Sequence, residues 1–215
     1  YTIDYAAESI EAKNGYELAV SGETSVGSDS LKLTPGATTT TVYVRKQGTT
    51  THAPSDWTAV TIPARPELTA PSMDFIEETI ATDTKTEYRI GTDGTWTACG
   101  ENMALSEFDW TGAAAVTVYF RLKAVTDSGS EAFAGGVKEV TIPARPGQPW
   151  FTIANKAEGV VIPVGYYYNF SSSDYSAEGW TQSNGALVKM EPGAAIYIYA
   201  EATTGAFKSS VQSLI

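Results

Sequence analysis

Histidine and cysteine occur once each in this chain, as His52 and Cys99. A single cysteine excludes an intrachain disulfide, so stability must come from packing alone. A single imidazole excludes multi-histidine zinc and non-haem iron sites. His52 sits in the polar turn Thr49-Thr50-Thr51-His52-Ala53-Pro54, and no nucleophile elbow accompanies it, so serine–histidine catalysis has no basis here. Cys99 closes Trp96-Thr97-Ala98-Cys99, alternating with polar neighbours, and reads as a small buried hydrophobe. Basic residues are also scarce: 14 Lys and Arg against 25 Asp and Glu give a formal charge of −11. A phosphate backbone or anionic bilayer would be repelled, so no nucleic-acid partner is expected. No apolar run approaches the roughly 20 residues of a membrane helix, so membrane insertion is not expected either. No signal peptide stands at Tyr1, and the first repeated landmark follows so closely that the chain reads as a mature or excised piece of something longer. Helical periodicity is missing throughout, while abundant Thr, Val, Tyr and Gly with 10 Pro favour strands and turns.

What the chain does contain is a duplicated string. Val-Thr-Ile-Pro-Ala-Arg-Pro runs from Val60 to Pro66 and again from Val140 to Pro146, an offset of 80 residues. Landmarks recur upstream of each copy: a strand bearing Tyr43 and Arg45, or Tyr119 and Arg121, and before it an acidic opening, Ile3-Asp4-Tyr5 or Met73-Asp74-Phe75. A third unit without the closing string fills the remainder to Ile215. Self-similarity at a fixed period marks a repeat array. The expected domains are residues 1–65, 66–146 and 147–215, and the middle one carries most of the charge, −7 against −2 on each neighbour.

The clearest strand is Val116–Lys123, with Val116, Val118, Phe120 and Leu122 on one face and Thr117, Tyr119, Arg121 and Lys123 on the other. Period two marks a half-buried strand. Its counterparts are Thr40–Arg45 and Ala195–Tyr199, each preceded by a Gly-Ala step, so Val42, Val44, Val118, Phe120, Ile196 and Ile198 are the predicted core. An earlier Tyr-led strand begins at Tyr16, Tyr88 and Tyr168. In the second unit it runs through Asp93-Gly94 into Trp96-Thr97, a hairpin signal; the third unit has a looser version reaching Trp180, and the first has no Trp there. Pro63, Pro66, Pro143 and Pro146 cannot donate to a ladder, so the last strand must stop and leave as a stiff extended segment. Six or seven short strands per unit predict an all-β chain of three tandem small antiparallel β-sandwiches.

The stretch Val118 to Pro143, a Tyr/Arg strand, a Ser-Gly turn and a second strand closing on Pro, resembles the last hairpin of fibronectin type III-like modules. The Tyr-led strand followed by Asp-Gly-Thr-Trp, with Ile-Pro-Ala-Arg-Pro as terminator, is similar to tandem immunoglobulin-like repeats of bacterial cell-surface proteins. That resemblance implies a spacer, stalk or adhesive segment, extracellular or at the cell surface, monomeric within a longer chain. It carries no shared catalytic residues and no cofactor.

Several residue sets are candidates for chemistry. The adjacent Glu77 and Glu78 would point to opposite faces of a strand, unlike a glycosidase pair facing across a cleft. Glu8, Glu78 and Glu158 instead fall at comparable places in three units, which argues for a repeated structural or surface role. Asp83, Asp93, Glu101, Glu107 and Asp109 crowd the loops of the second unit, but their spacing matches no calcium loop, and no metal is assigned. Aromatics carry more weight, because sugar rings stack on flat aromatic faces. Tyr43, Tyr119 and Tyr197 recur on the polar face of one strand, with cross-strand stabilisation as the simpler role. The third unit adds Tyr166, Tyr167, Tyr175 and Trp180, the candidate glycan-binding residues; the partners to expect are a glycan or a cell-surface protein.

Overall fold

The computed structural model describes residues 1–24 and 26–215. The described residues are all-β, with two short 3-10 turns, Leu105–Phe108 and Asn155–Ala157. The first repeat holds β1 (Thr2–Asp4), β2 (Ser9–Glu11), β3 (Tyr16–Ala19), β4 (Ser30–Lys32), β5 (Thr40–Lys46) and β6 (Thr58–Ile62). The second holds β7 (Met73–Asp74), β8 (Thr79–Ile80), β9 (Thr86–Ile90), β10 (Thr97–Ala98), β11 (Met103–Ala104), β12 (Val116–Leu122) and β13 (Lys138–Ile142). The third holds β14 (Thr152–Ala154), β15 (Gly159–Val161), β16 (Tyr166–Asn169), β17 (Thr181–Gln182), β18 (Leu187–Lys189), β19 (Ile196–Ala200) and β20 (Gln212–Leu214).

These strands make six small sheets, two per repeat, in matching orders. A three-stranded sheet runs β1-β2-β4, β7-β8-β11 and β14-β15-β18 in the successive repeats. The other runs β3-β5-β6, then β10-β9-β12-β13, then β17-β16-β19-β20. The extra edge strand in the second and third repeats is the one expected beside Trp96 and Trp180: Thr97 pairs with Tyr88 and Thr181 with Tyr168. In the first repeat an isolated bridge from Leu18 to Ser28 stands in its place.

Contacts along the chain gather into two compact units whose limits do not follow the repeat period. One comprises residues 1–71, 82–101 and 117–140, the other residues 72–81, 102–116 and 141–215. In the first unit, Ile10 of β2 shares a core with Leu18, Val42, Val60 and Ile62 from the facing sheet, and with Leu33 and Phe133. In the second, Val160 and Ile162 pack with Ile196 and Ile198. Val118 and Phe120 are likewise fully buried. Val44, expected in the core, is instead half-buried and packed against its cluster. Cys99 is buried.

Candidate functional site

Two arrangements recur from repeat to repeat: the outer face of the sheet that holds β3, β9 or β16, and the junction built on the terminator arginine. On the outer face, strand register places Glu17 opposite Arg45 and Glu87 opposite Arg121. Side chains opposite one another on a sheet are close enough to bond, and both pairs do, at 2.6 Å. Arg45 also lies over the ring of Trp57 at 4.2 Å, and Arg121 over that of Trp96 at 4.0 Å, favourable stacking for a guanidinium. The Glu17 carboxyl is held below its ordinary range, chiefly by the hydrogen bond from Arg45 and further by the Gly27 amide, against the opposing effect of burial. Arg89 lies 4.8 Å from the Trp96 ring and 5.5 Å from that of Tyr119.

In the third repeat the same register position is Tyr167 opposite Tyr199. The charged pair is replaced by two stacked rings, 5.4 Å apart and 14° from parallel. Trp180, which precedes its edge strand as Trp96 does, meets Tyr199 edge-on at 4.7 Å, and Tyr175 meets it at 5.2 Å. Three of the four aromatics singled out in the sequence therefore surround Tyr199. Tyr166 does not join them; it packs against the Val160–Ile198 core. The polar ends of the cluster are engaged: Tyr175 Oη donates to the Ser209 carbonyl, Trp180 Nε1 to the Asp174 carbonyl and Tyr199 Oη to Glu201 Oε2. Burial pushes the Tyr199 phenol well above its ordinary value, with the neighbouring Glu201 adding to it, and burial raises Tyr175 too. The loop that carries Tyr175 is pinned by Asn169, whose amide donates to the Glu178 carbonyl and accepts from Ser171. Tyr43, Tyr119 and Tyr197 are each half-buried.

Two of the acidic loop side chains singled out in the second repeat serve local turns. Asp83 accepts from the Lys85 amide and the Thr86 hydroxyl, and Glu107 accepts from the Ala104 amide.

The junction is the feature that sequence reading missed. Arg65 donates from Nε to the Pro35 carbonyl, from Nη1 to the Ala134 carbonyl and from Nη2 to Glu8. Arg145 makes a bidentate pair with Glu78 at 2.7 Å and reaches the Lys208 carbonyl, the fork geometry that favours arginine over lysine. Its stem fills the space above Gly112, where a Cβ would lie 2.7 Å from it. Glu8 and Glu78 adopt left-handed φ of 52° and 54°. Beside each pair sits a phenylalanine from the following repeat. Phe133 is fully buried with its ring 4.8 Å from Tyr5, and Phe207 lies 4.8 Å from Phe75 and 4.6 Å from Trp110. The terminator thus does more than break a strand: its arginine ties down the turn between the first two strands of its own repeat while the next repeat plugs the end of the core. The recurrence of Glu8 and Glu78 and of the arginine in a duplicated string was visible; the two phenylalanines each follow an alanine, but in loops of different length that put them off the repeat period.

Comparison with known proteins finds no matching family model and no matching curated relative.

Proposed function

We propose that this chain is a non-enzymatic, modular spacer or adhesive segment of a bacterial surface or secreted protein, built from three immunoglobulin- or fibronectin type III-like β-sandwich modules spanning residues 1–65, 66–146 and 147–215. The observation that carries this reading is the repeated junction. A bidentate ion pair and an aromatic plug at the same place in successive modules make a loop of each following module part of the preceding module's core, an arrangement suited to transmitting load and to keeping modules from swivelling freely. A chain selected for catalysis has no need to repeat such a device. Single-molecule stretching of the full chain tests the proposal. Unfolding is expected in discrete, resisted steps, each releasing about 3.5 Å of contour per residue unfolded. A chain that extends smoothly at low force is no spacer.

A second reading is favoured by one specific observation, the replacement of Glu–Arg by Tyr167–Tyr199 on the outer face of the third repeat. The aromatic rings of Tyr167, Tyr175 and Trp180, gathered around the buried Tyr199, suit ring stacking against a glycan, and such binding would be insensitive to salt and independent of metal. The test is a polysaccharide panel read with the intact chain and its Trp180→Ala variant. Binding lost in the variant supports a carbohydrate-binding module; no binding by the intact chain leaves the spacer reading alone.

A further inference from the structure

The receptor end that Arg65 and Phe133 fill in the first repeat, and Arg145 and Phe207 in the second, is present and unfilled in the third. Glu158 takes the same left-handed φ, 50°, as Glu8 and Glu78. Its carbonyl accepts the Met190 amide as those of Glu8 and Glu78 accept Leu33 and Leu105. A left-handed residue is ordinarily Gly, Asn or Asp. Glutamate there three times points to the side chain, which in two cases holds an arginine. Among the described residues Glu158 has no cation partner, and it is exposed where Glu8 and Glu78 are half-buried. Ile153, in the register position of Ile3 and Met73, is 52 % exposed, whereas Ile3 packs on the core that Phe133 caps.

The opposite half of the device is missing at the first repeat. The plug loops share a hydrogen-bond frame: Val125 N to Ala132 O and Gly135 N to Leu122 O around Phe133, and Thr203 N to Ala206 O and Ser209 N to Ala200 O around Phe207. The first repeat repeats it with Thr49 N to His52 O and Ser55 N to Lys46 O. The residue it places at the plug position is Ala53, which is exposed.

We infer that the Glu158–Ile153 end of the third repeat is a docking site for a polypeptide module of this same repeat type, one whose hairpin presents phenylalanine at the plug position while an arginine reaches Glu158. Continuity with two filled junctions and the unpaired carboxylate argue for that occupant. A second copy of this chain does not serve as it stands, since its two phenylalanine plugs are buried in its own junctions and its free loop carries Ala53. The inference rests on the modular reading above, which the stretching experiment tests separately.

The probe is the full chain bearing Ala53→Phe and five appended residues, Ile-Pro-Ala-Arg-Pro, continuing the last strand as the terminator continues β6. Supplying plug and arginine together should turn the chain into a head-to-tail self-associating species, a heterologous contact that does not close. Sedimentation velocity is expected to show association that rises with concentration and weakens by about tenfold or more, equal to about 1.4 kcal/mol, with Glu158→Gln or Ile153→Asp. A second readout needs no change at Ala53: on the otherwise unaltered chain, the Arg-bearing tail should slow amide exchange at Val160 and Ile162, and an Ala-bearing tail should not. If the probe remains monomeric and the two tails protect equally, or if association ignores both receptor substitutions, the inference is wrong.

Discussion

Phe133 lies in the hairpin between β12 and β13 of the second repeat, yet it is buried against Ile10, Leu18, Leu33, Val42, Val60 and Ile62 of the first. Phe133→Ala should therefore destabilise a repeat to which the residue does not belong by sequence. The magnitude follows from its burial, which is complete. An aromatic side chain removes about 150–250 Å² from water, and at about 25 cal/mol per Å² even the lower figure corresponds to about 4 kcal/mol. Alanine retains a small part of this, and the cavity left behind adds a term, so a loss of about 3–5 kcal/mol is expected. Denaturant melts give the magnitude, and residue-resolved hydrogen exchange gives the place. Exchange should accelerate at Ile10, Val42 and Val60. Phe120→Ala, of similar size in the core beneath β12, is the control, since its effect should centre on β9 and β12. A loss below about 1 kcal/mol, or faster exchange confined to Val116–Ile142, would show that the plug does not support the first repeat.

Three further outcomes follow from the same geometry. A double-mutant cycle on Arg145→Lys and Glu78→Gln should return a coupling of about 1.5–3 kcal/mol, the range for charge-assisted hydrogen bonds, because lysine cannot reproduce the bidentate fork; additive effects in denaturant melts would mean the pair is decorative. Gly112 and Gly129 both have positive φ, 85° and 90°, so alanine at either should cost about 1–2 kcal/mol in backbone strain, but only Gly112→Ala also displaces Arg145, and equal melts for the two would contradict that packing. The depressed Glu17 carboxyl contributes stability that is present above its unfolded value of about 4.3 and lost as pH falls through the lower folded value. The destabilisation by Glu17→Gln should accordingly be full at neutral pH and fade in acid, and a pH-independent difference in melting would reject the attribution.

Periodicity in the sequence was sufficient for the strands. Val42, Val118, Phe120, Ile196 and Ile198 alternate with polar neighbours, and a side-chain period of two fixes which face is buried whatever the sheet packs against. Prolines that cannot donate a backbone hydrogen bond fixed where β6 and β13 end. The carboxylates Glu8, Glu78 and Glu158 were legible as a recurring position, though not as left-handed residues or as arginine partners, since a pairing across more than 50 residues leaves no local trace.

Tertiary structure alone decided the rest. Tyr166 and Tyr167 are adjacent, so the pleat sends them to opposite faces, and only the pairing of β16 with β19 determined that Tyr167 joins Tyr199 while Tyr166 enters the core. Which loop residue seals which core was equally hidden, because a plug acts from a neighbouring repeat, where spacing within its own segment carries no information about what it covers. Local pattern specifies each repeat's strands by hydrogen-bond and side-chain geometry; the identity of the side chains that close its ends depends on long-range packing, which sequence period does not encode.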